Sequence, residues 1–130
     1  MHLTTTLSLA AAAILINLWH FIRIVRLRTS EKIIHGDGGN VLLMRRMRAQ
    51  ANFIENVPLT LILIGLIELS GKGGNWLAYV GVAYLVARIA HGFGMDAEGA
   101  NAARAGGMMI SLLLQVSLAV VGVLIVLGKF

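Results

Sequence analysis

Apolar and polar positions in this chain segregate over lengths of a whole helix. Leu3 to Ile22 holds no lysine, arginine, aspartate or glutamate, and neither does Ala105 to Gly128. A membrane-crossing helix needs about 20 mostly apolar residues, so both stretches qualify, although Asn17 and His20 make the far end of the first one polar. Two uncharged runs between them, Asn56 to Ile67 and Asn75 to Ala87, are too short. The second span must therefore take in Glu55, Asn52 and Arg48, and the third must run past Arg88 towards His91 or Gly94. The pattern predicts an all-α integral membrane protein, a single domain over 1–130 with spans near 3–26, 43–70, 74–94 and 103–128. The connections fall at Thr29 to Asn40, with Gly36-Asp37-Gly38-Gly39 as a turn, at Gly71 to Gly74, and at Asp96 to Ala102. The first connection is long enough to lie ordered over the bundle mouth or to be mobile, the second is a tight turn, and the four spans make an up-down-up-down bundle. No internal repeat stands out.

Within the second span, Arg48, Asn52 and Glu55 are spaced i, i+4, i+7 and share one stripe of a helix. Ionisable groups at membrane depth are costly and face a bundle interior, a cavity or a partner. The stripe is thus a candidate site from its position alone.

Composition narrows the class. Hydrophobic residues make up 58% of the chain and charged residues only 13%, with a mean hydropathy of +0.82. Fifteen glycines against one proline suit close helix packing in a membrane. There are no cysteines, which excludes disulfides, zinc-thiolate sites and a protein thiol nucleophile. No metal site is expected. The stretch Met1 to Ile16 lacks a basic leader and a clear cleavage site, and reads as the start of a first membrane helix.

The net charge of +5 sits at span ends and does not form a nucleic-acid face. Arg23, Arg26, Arg28, Lys32, Arg45, Arg46 and Arg48 flank the first connection, Arg88 and Arg104 the third. Only Lys72 and Lys129 lie on the other side. The positive-inside rule then predicts cytoplasmic first and third connections and extracytoplasmic termini.

This topology brings the polar residues to one depth. Arg48, Asn52 and Glu55 occupy the cytoplasmic half of the second helix, Arg88 and His91 end the third, and Arg104 opens the fourth. Glu55 is about ten residues in, roughly 15 Å along the axis. Many arginines and one deep carboxylate make a positive field suited to a polyanionic ligand from the cytoplasm.

Structural readings stand beside this one. Arg23, Arg26, Arg28, Arg45 and Arg46 can serve as topology determinants that snorkel to headgroups. Glu55 can neutralise Arg48 or Arg88, Asn52 can join helices, and His91 can bond a backbone carbonyl. Glu68 reads as solvated or paired with Lys72, Asn17 and His20 as packing groups, and Trp19 and Trp76 as interface anchors. Gly106-Gly107 reads as a place of close helix contact.

At the second helix the chain resembles the MAPEG family, the membrane-associated proteins of eicosanoid and glutathione metabolism. The motif there is Arg48, Asn52, Glu55 and Pro58. Val25-Arg26-Leu27-Arg28 resembles the family's basic exit from the first helix, and Gly36-Asp37-Gly38-Gly39 is similar to its small bacterial members. Arg88-Ile-Ala-His91 resembles the third-helix Arg-x-x-His, and Arg104 stands where the fourth-helix arginine begins. The resemblance covers nearly the whole chain.

What it implies is a homotrimer in a bacterial inner membrane, with glutathione as co-substrate held between neighbouring subunits. By the same resemblance Arg48, Asn52 and Glu55 hold the peptide, Arg88, His91 and Arg26 join the glutathione-binding set, and Arg104 is the catalytic candidate that favours the thiolate. A fixed cation favours thiolate over thiol, and the thiolate is the nucleophile. Two positions depart from the family pattern. Met95 stands where eicosanoid-type members have a tyrosine, and Ala105 where some have a serine. Tyr79 and Tyr84 lie deeper and do not replace them.

The expected activity is transfer of glutathione to lipophilic electrophiles, or reduction of hydroperoxides, with substrate arriving from the bilayer. The alternative is a non-catalytic relative that binds glutathione or anionic lipid, or is structural. A transporter or channel subunit is disfavoured, because the polar groups stop halfway across the membrane.

Overall fold

The computed structural model describes residues 2–130; Met1, part of the N-terminal reading, lies outside them. Four helices follow in order, α1 Thr4–Glu31, α2 Val41–Leu69, α3 Asn75–Gly94 and α4 Ala102–Val126. All four are long and apolar enough to cross a membrane, and the described residues contain no strand.

The helix ends have local causes. α1 continues to Glu31, two residues beyond the point where the first connection was expected to start, because nothing interrupts it before Lys32. There the chain turns left-handed, with φ 55°. Asn40 caps α2 by accepting from the Leu43 amide at 2.9 Å, and Asn101 caps α4 by accepting from the Arg104 amide at 2.9 Å. Such caps satisfy amides that a helix start otherwise leaves unpaired. The tight α2–α3 turn uses Gly71 and Gly74 at positive φ, 76° and 116°, which glycine adopts without penalty.

The start of α1 is capped from across the bundle by Glu68, which is half-buried and forms no ion pair with Lys72 among the described residues. Its carboxylate accepts from the amides of Thr5 and Thr6, each at 2.8 Å, and from the Thr6 hydroxyl at 2.6 Å. An acidic group at a helix N-terminus is favoured by both hydrogen bonding and the helix dipole.

α2 and α3 each contact all three other helices, and α3 packs most extensively on α4; α1 and α4 do not meet, and α2 and α4 touch least of the pairs that do. α4 lies along α3 at backbone distance near the end of α3 and the start of α4. A methyl group placed on Gly107 would come 2.6 Å from the Ala87 carbonyl oxygen and 2.7 Å from the His91 amide nitrogen, while Gly106 faces open space. The close helix contact expected at this pair therefore belongs to Gly107. The core is built from Leu9, Ile16, Phe53, Ile64, Leu77, Tyr84 and Leu118 with their neighbours. Leu15, Leu59, Ile62, Leu113, Val116 and Val123 are exposed, as lipid-facing positions should be.

One buried polar ladder was not foreseen. The amide nitrogen of Gln115 on α4 donates to the Thr60 hydroxyl at 3.0 Å and to the Tyr84 hydroxyl at 3.2 Å. Thr60 donates on to the Asn56 carbonyl at 3.0 Å. This joins α2, α3 and α4 in the middle of the bundle, where apolar contacts alone carry little preference over lipid.

Candidate functional site

α2, the end of α3 and the start of α4 enclose a cavity of about 360 Å³. α2 contributes Arg48, Asn52 and Glu55, one face at the expected spacing, and Ala51 beside them. α3 contributes His91 and Met95. The connection and α4 supply Ala100, Asn101, Arg104, Ala105 and Met108. Five of the seven site residues expected from the sequence thus share one cavity, namely Arg48, Asn52, Glu55, His91 and Arg104.

Arg88 lies behind the wall. It is 2% exposed and its Nη2 donates to the Asn52 amide oxygen, while its Nε has no hydrogen-bond partner. A buried guanidinium held by one neutral amide leaves its positive field largely uncompensated beneath the cavity. Asn52 consequently has its oxygen engaged and its amide nitrogen free to donate. Asn52 does join helices, as its structural reading held, and it also faces the cavity.

The structural readings of Glu55 and His91 fare differently. Among the described residues, ion pairs involve only Asp96, Arg23 and Arg46. Glu55 pairs with neither Arg48 nor Arg88 and is exposed to the cavity. The His91 ring makes no hydrogen bond to a backbone carbonyl among the described residues, and the side chain is buried at the cavity wall.

Arg26 stands apart. It is exposed on α1 and lines no part of this cavity. α1 and α4 do not meet within the chain, and no residue of α1 lines the cavity that holds Arg104.

The reading of Arg23, Arg45 and Arg46 as headgroup-facing determinants is also corrected. Arg23 and Arg46 form ion pairs with Asp96, and Arg45 donates to the Asp96 carbonyl at 3.2 Å. Arg28 donates to the Gly36 carbonyl at 2.7 Å and so supports the first connection. In the sequence Asp96 reads only as the start of the third connection; the available signal is an acidic residue placed where a dense set of arginines is expected.

The cavity faces two guanidiniums, Arg48 and Arg104, with Arg88 behind them and one carboxylate, Glu55. It carries a net positive field, and α4 begins at its wall. Its lining contains no hydroxyl or thiol, because Met95 and Ala105 occupy the two positions that departed from the family pattern. The arrangement can hold an anionic, hydrogen-bonding ligand and can stabilise negative charge beside Arg104. Any nucleophile must come with the ligand or be one of these imidazole or carboxylate groups.

Known proteins agree with this architecture. Part of the chain is similar to the inner membrane protein YecN of Escherichia coli (strain K12), 31% identical over 72 residues. The YecN protein of an Escherichia coli O6:H1 strain matches equally, at 31% over 72 residues. Each alignment covers 55% of this chain and 54% of the relative, so the chain spans about half the length of the curated relatives it matches. The family model described as the MAPEG family matches far more, residues 6–124, and with that span matched the chain belongs to the MAPEG family.

Proposed function

We propose that this chain binds glutathione in the cavity between α2 and α4 and uses its thiolate on lipophilic substrates, as a transferase or a peroxidase. The observation that carries this reading is the convergence of Arg48, Asn52, Glu55, His91 and Arg104 on one cavity of about 360 Å³. That volume lies within the range of roughly 300–1,000 Å³ common for small-molecule sites. Glutathione offers two carboxylates, an ammonium group, two amides and a thiol. Arginine forks suit its carboxylates, Glu55 suits its ammonium, and the free Asn52 amide nitrogen suits a carbonyl.

Arg104 then favours the thiolate by placing a fixed cation beside the sulfur. Attack on an electrophilic aromatic chloride forms the carbon–sulfur bond and expels chloride. With a hydroperoxide, two glutathione molecules become the disulfide while the peroxide becomes alcohol and water. Substrate arrives from the bilayer, which the exposed apolar faces of α2 and α4 contact. The membrane is the bacterial inner membrane, with both termini extracytoplasmic and the cavity at the cytoplasmic end. Arg26 reaches glutathione only across a subunit boundary, which is how its place outside the cavity fits a homotrimer.

Titration of the purified protein with glutathione tests the reading. Binding in the millimolar range or tighter is expected. Arg48→Ala and Glu55→Ala should each weaken it about tenfold, the ~1.4 kcal/mol of one order of magnitude, while Arg28→Ala leaves it unchanged. No binding at millimolar glutathione ends the proposal.

The second reading, a glutathione binder without turnover, is favoured by one feature, the lack of any hydroxyl at Met95 and Ala105. Turnover with an aromatic chloride or a lipid hydroperoxide, abolished in Arg104→Ala, decides for the enzyme. Binding without product decides for the binder.

A further inference from the structure

We propose that Asp96 is a positioning residue for the cavity: by gathering arginines from α1 and α2 it fixes the α3–α4 connection and, through it, Arg104. The inference takes the cavity as the glutathione site proposed above, although its first test does not depend on that reading.

Asp96 follows Met95, which lines the cavity. Its carboxylate forms an ion pair with Arg23 of α1 and takes a two-point contact from Arg46 of α2. In that contact Nε lies 3.4 Å from Oδ1 and Nη2 lies 3.3 Å from Oδ2. Its backbone carbonyl accepts from Arg45 at 3.2 Å. Arg23 is itself immobilised, with its guanidinium 4.5 Å from the Trp19 ring centre and 5.8 Å from that of Phe93. Its Nη1 donates to the Gly92 carbonyl at 3.4 Å. Arg46 also donates to the Arg23 carbonyl at 3.4 Å, so α1, α2 and the connection meet at one point. The side chains of Arg23 and Arg46 are 12% and 23% exposed, where attraction between charges is less screened than in bulk water.

The far end of the connection is also held. Asn101 donates to the Gly94 carbonyl at 2.8 Å and accepts from the Arg104 amide at 2.9 Å. With Asp96 at one end and Asn101 at the other, the backbone from Met95 to Arg104 is pinned along the cavity wall. Removing the Asp96 charge leaves Arg23 and Arg46 with no carboxylate between them, and the connection loses its tether to α1 and α2. The same pairing sorts the arginines. Those bound to Asp96 are withheld from the ligand, whereas Arg48 and Arg104 face the cavity. Glu98 is exposed and forms no ion pair among the described residues, which makes it the natural control.

The chain has no cysteine, so spin labels on Gly99→Cys and Val41→Cys report the distance from the connection to α2 by pulsed electron resonance. The labelled full chain is diluted with unlabelled protein. One narrow distribution is expected in the native background, a broad one in Asp96→Asn, and a narrow one again in Asp96→Glu. An unchanged distribution in Asp96→Asn overturns the proposal. Should that variant not assemble, Arg46→Gln removes one pair and retains the Arg23 pair; partial broadening is expected, and no change overturns it.

Glutathione titration is the second readout. The Kd should rise about tenfold in Asp96→Asn, recover in Asp96→Glu, and stay within about twofold of native in Glu98→Gln. Broadening with an unchanged Kd also counts against Asp96 as a positioning residue. If the native chain binds no glutathione, it is the proposed function that fails, and the labels still decide on Asp96.

Discussion

Asn52 separates a buried cation from the cavity, and its two ends do different work. Its oxygen is the hydrogen-bond partner of Arg88, and its nitrogen remains available to a ligand. Replacing it with leucine strands the guanidinium, whose Nε already lacks a partner. A lost hydrogen bond to a charged group costs about 1.5–3 kcal/mol, so Asn52→Leu should lower unfolding stability by that amount. Adding Arg88→Met to Asn52→Leu should recover most of the loss, because a matched apolar pair replaces a stranded charge. Denaturant unfolding of the two variants measures both, and a fully stable Asn52→Leu would mean the contact is dispensable. The sequence made the stripe of Arg48, Asn52 and Glu55 visible through its spacing. It did not show that Arg88 meets Asn52 and misses Glu55, because that depends on how α2 and α3 are rotated against each other. Nor could spacing place Arg26 outside the cavity, to whose lining α1 contributes no residue.

Elements are joined by a few contacts of high consequence. Gly107 lets α4 lie on the backbone of α3, whereas its neighbour Gly106 meets nothing. Gly107→Val should push the helices apart and cost about 1–3 kcal/mol as overpacking, with loss of glutathione binding because His91 and Arg104 separate. Gly106→Val should leave both nearly unchanged, and comparing the pair by thermal unfolding checks the asymmetry. Glu68→Gln tests the capping of α1 in the same way, with about 1 kcal/mol of loss expected from the cap and dipole together. The number and order of helices followed from span length, since the bilayer sets a minimum that few sequences evade. Helix ends were less legible. α1 outlasts its apolar run because helix propensity continues through Arg28 and Glu31 after hydrophobicity has stopped. Contacts such as Glu68 with Thr5 and Thr6 join residues more than sixty positions apart, and no local pattern marks them.

Across the whole molecule, the groove between α2 and α4 changes character with depth. One end is the charged cavity, the middle holds Thr60 and Gln115, and the other end is an apolar cleft of about 610 Å³ lined by Leu63, Leu66, Val123 and Val126 among others. Since α2 and α4 touch so little, a ligand held by Arg48 and Glu55 on one side and Arg104 on the other would tie them together. Glutathione should therefore slow amide exchange in the first turns of α4, and at a hundredfold excess over Kd it should stabilise the fold by about 2.7 kcal/mol. S-methylglutathione separates the two parts of the site. It keeps the carboxylates and the ammonium group but cannot form a thiolate, so it should protect α4 less, and Arg104→Ala should bind both compounds equally. Equal protection by both in the native chain would mean that Arg104 holds the peptide and does not act on the sulfur.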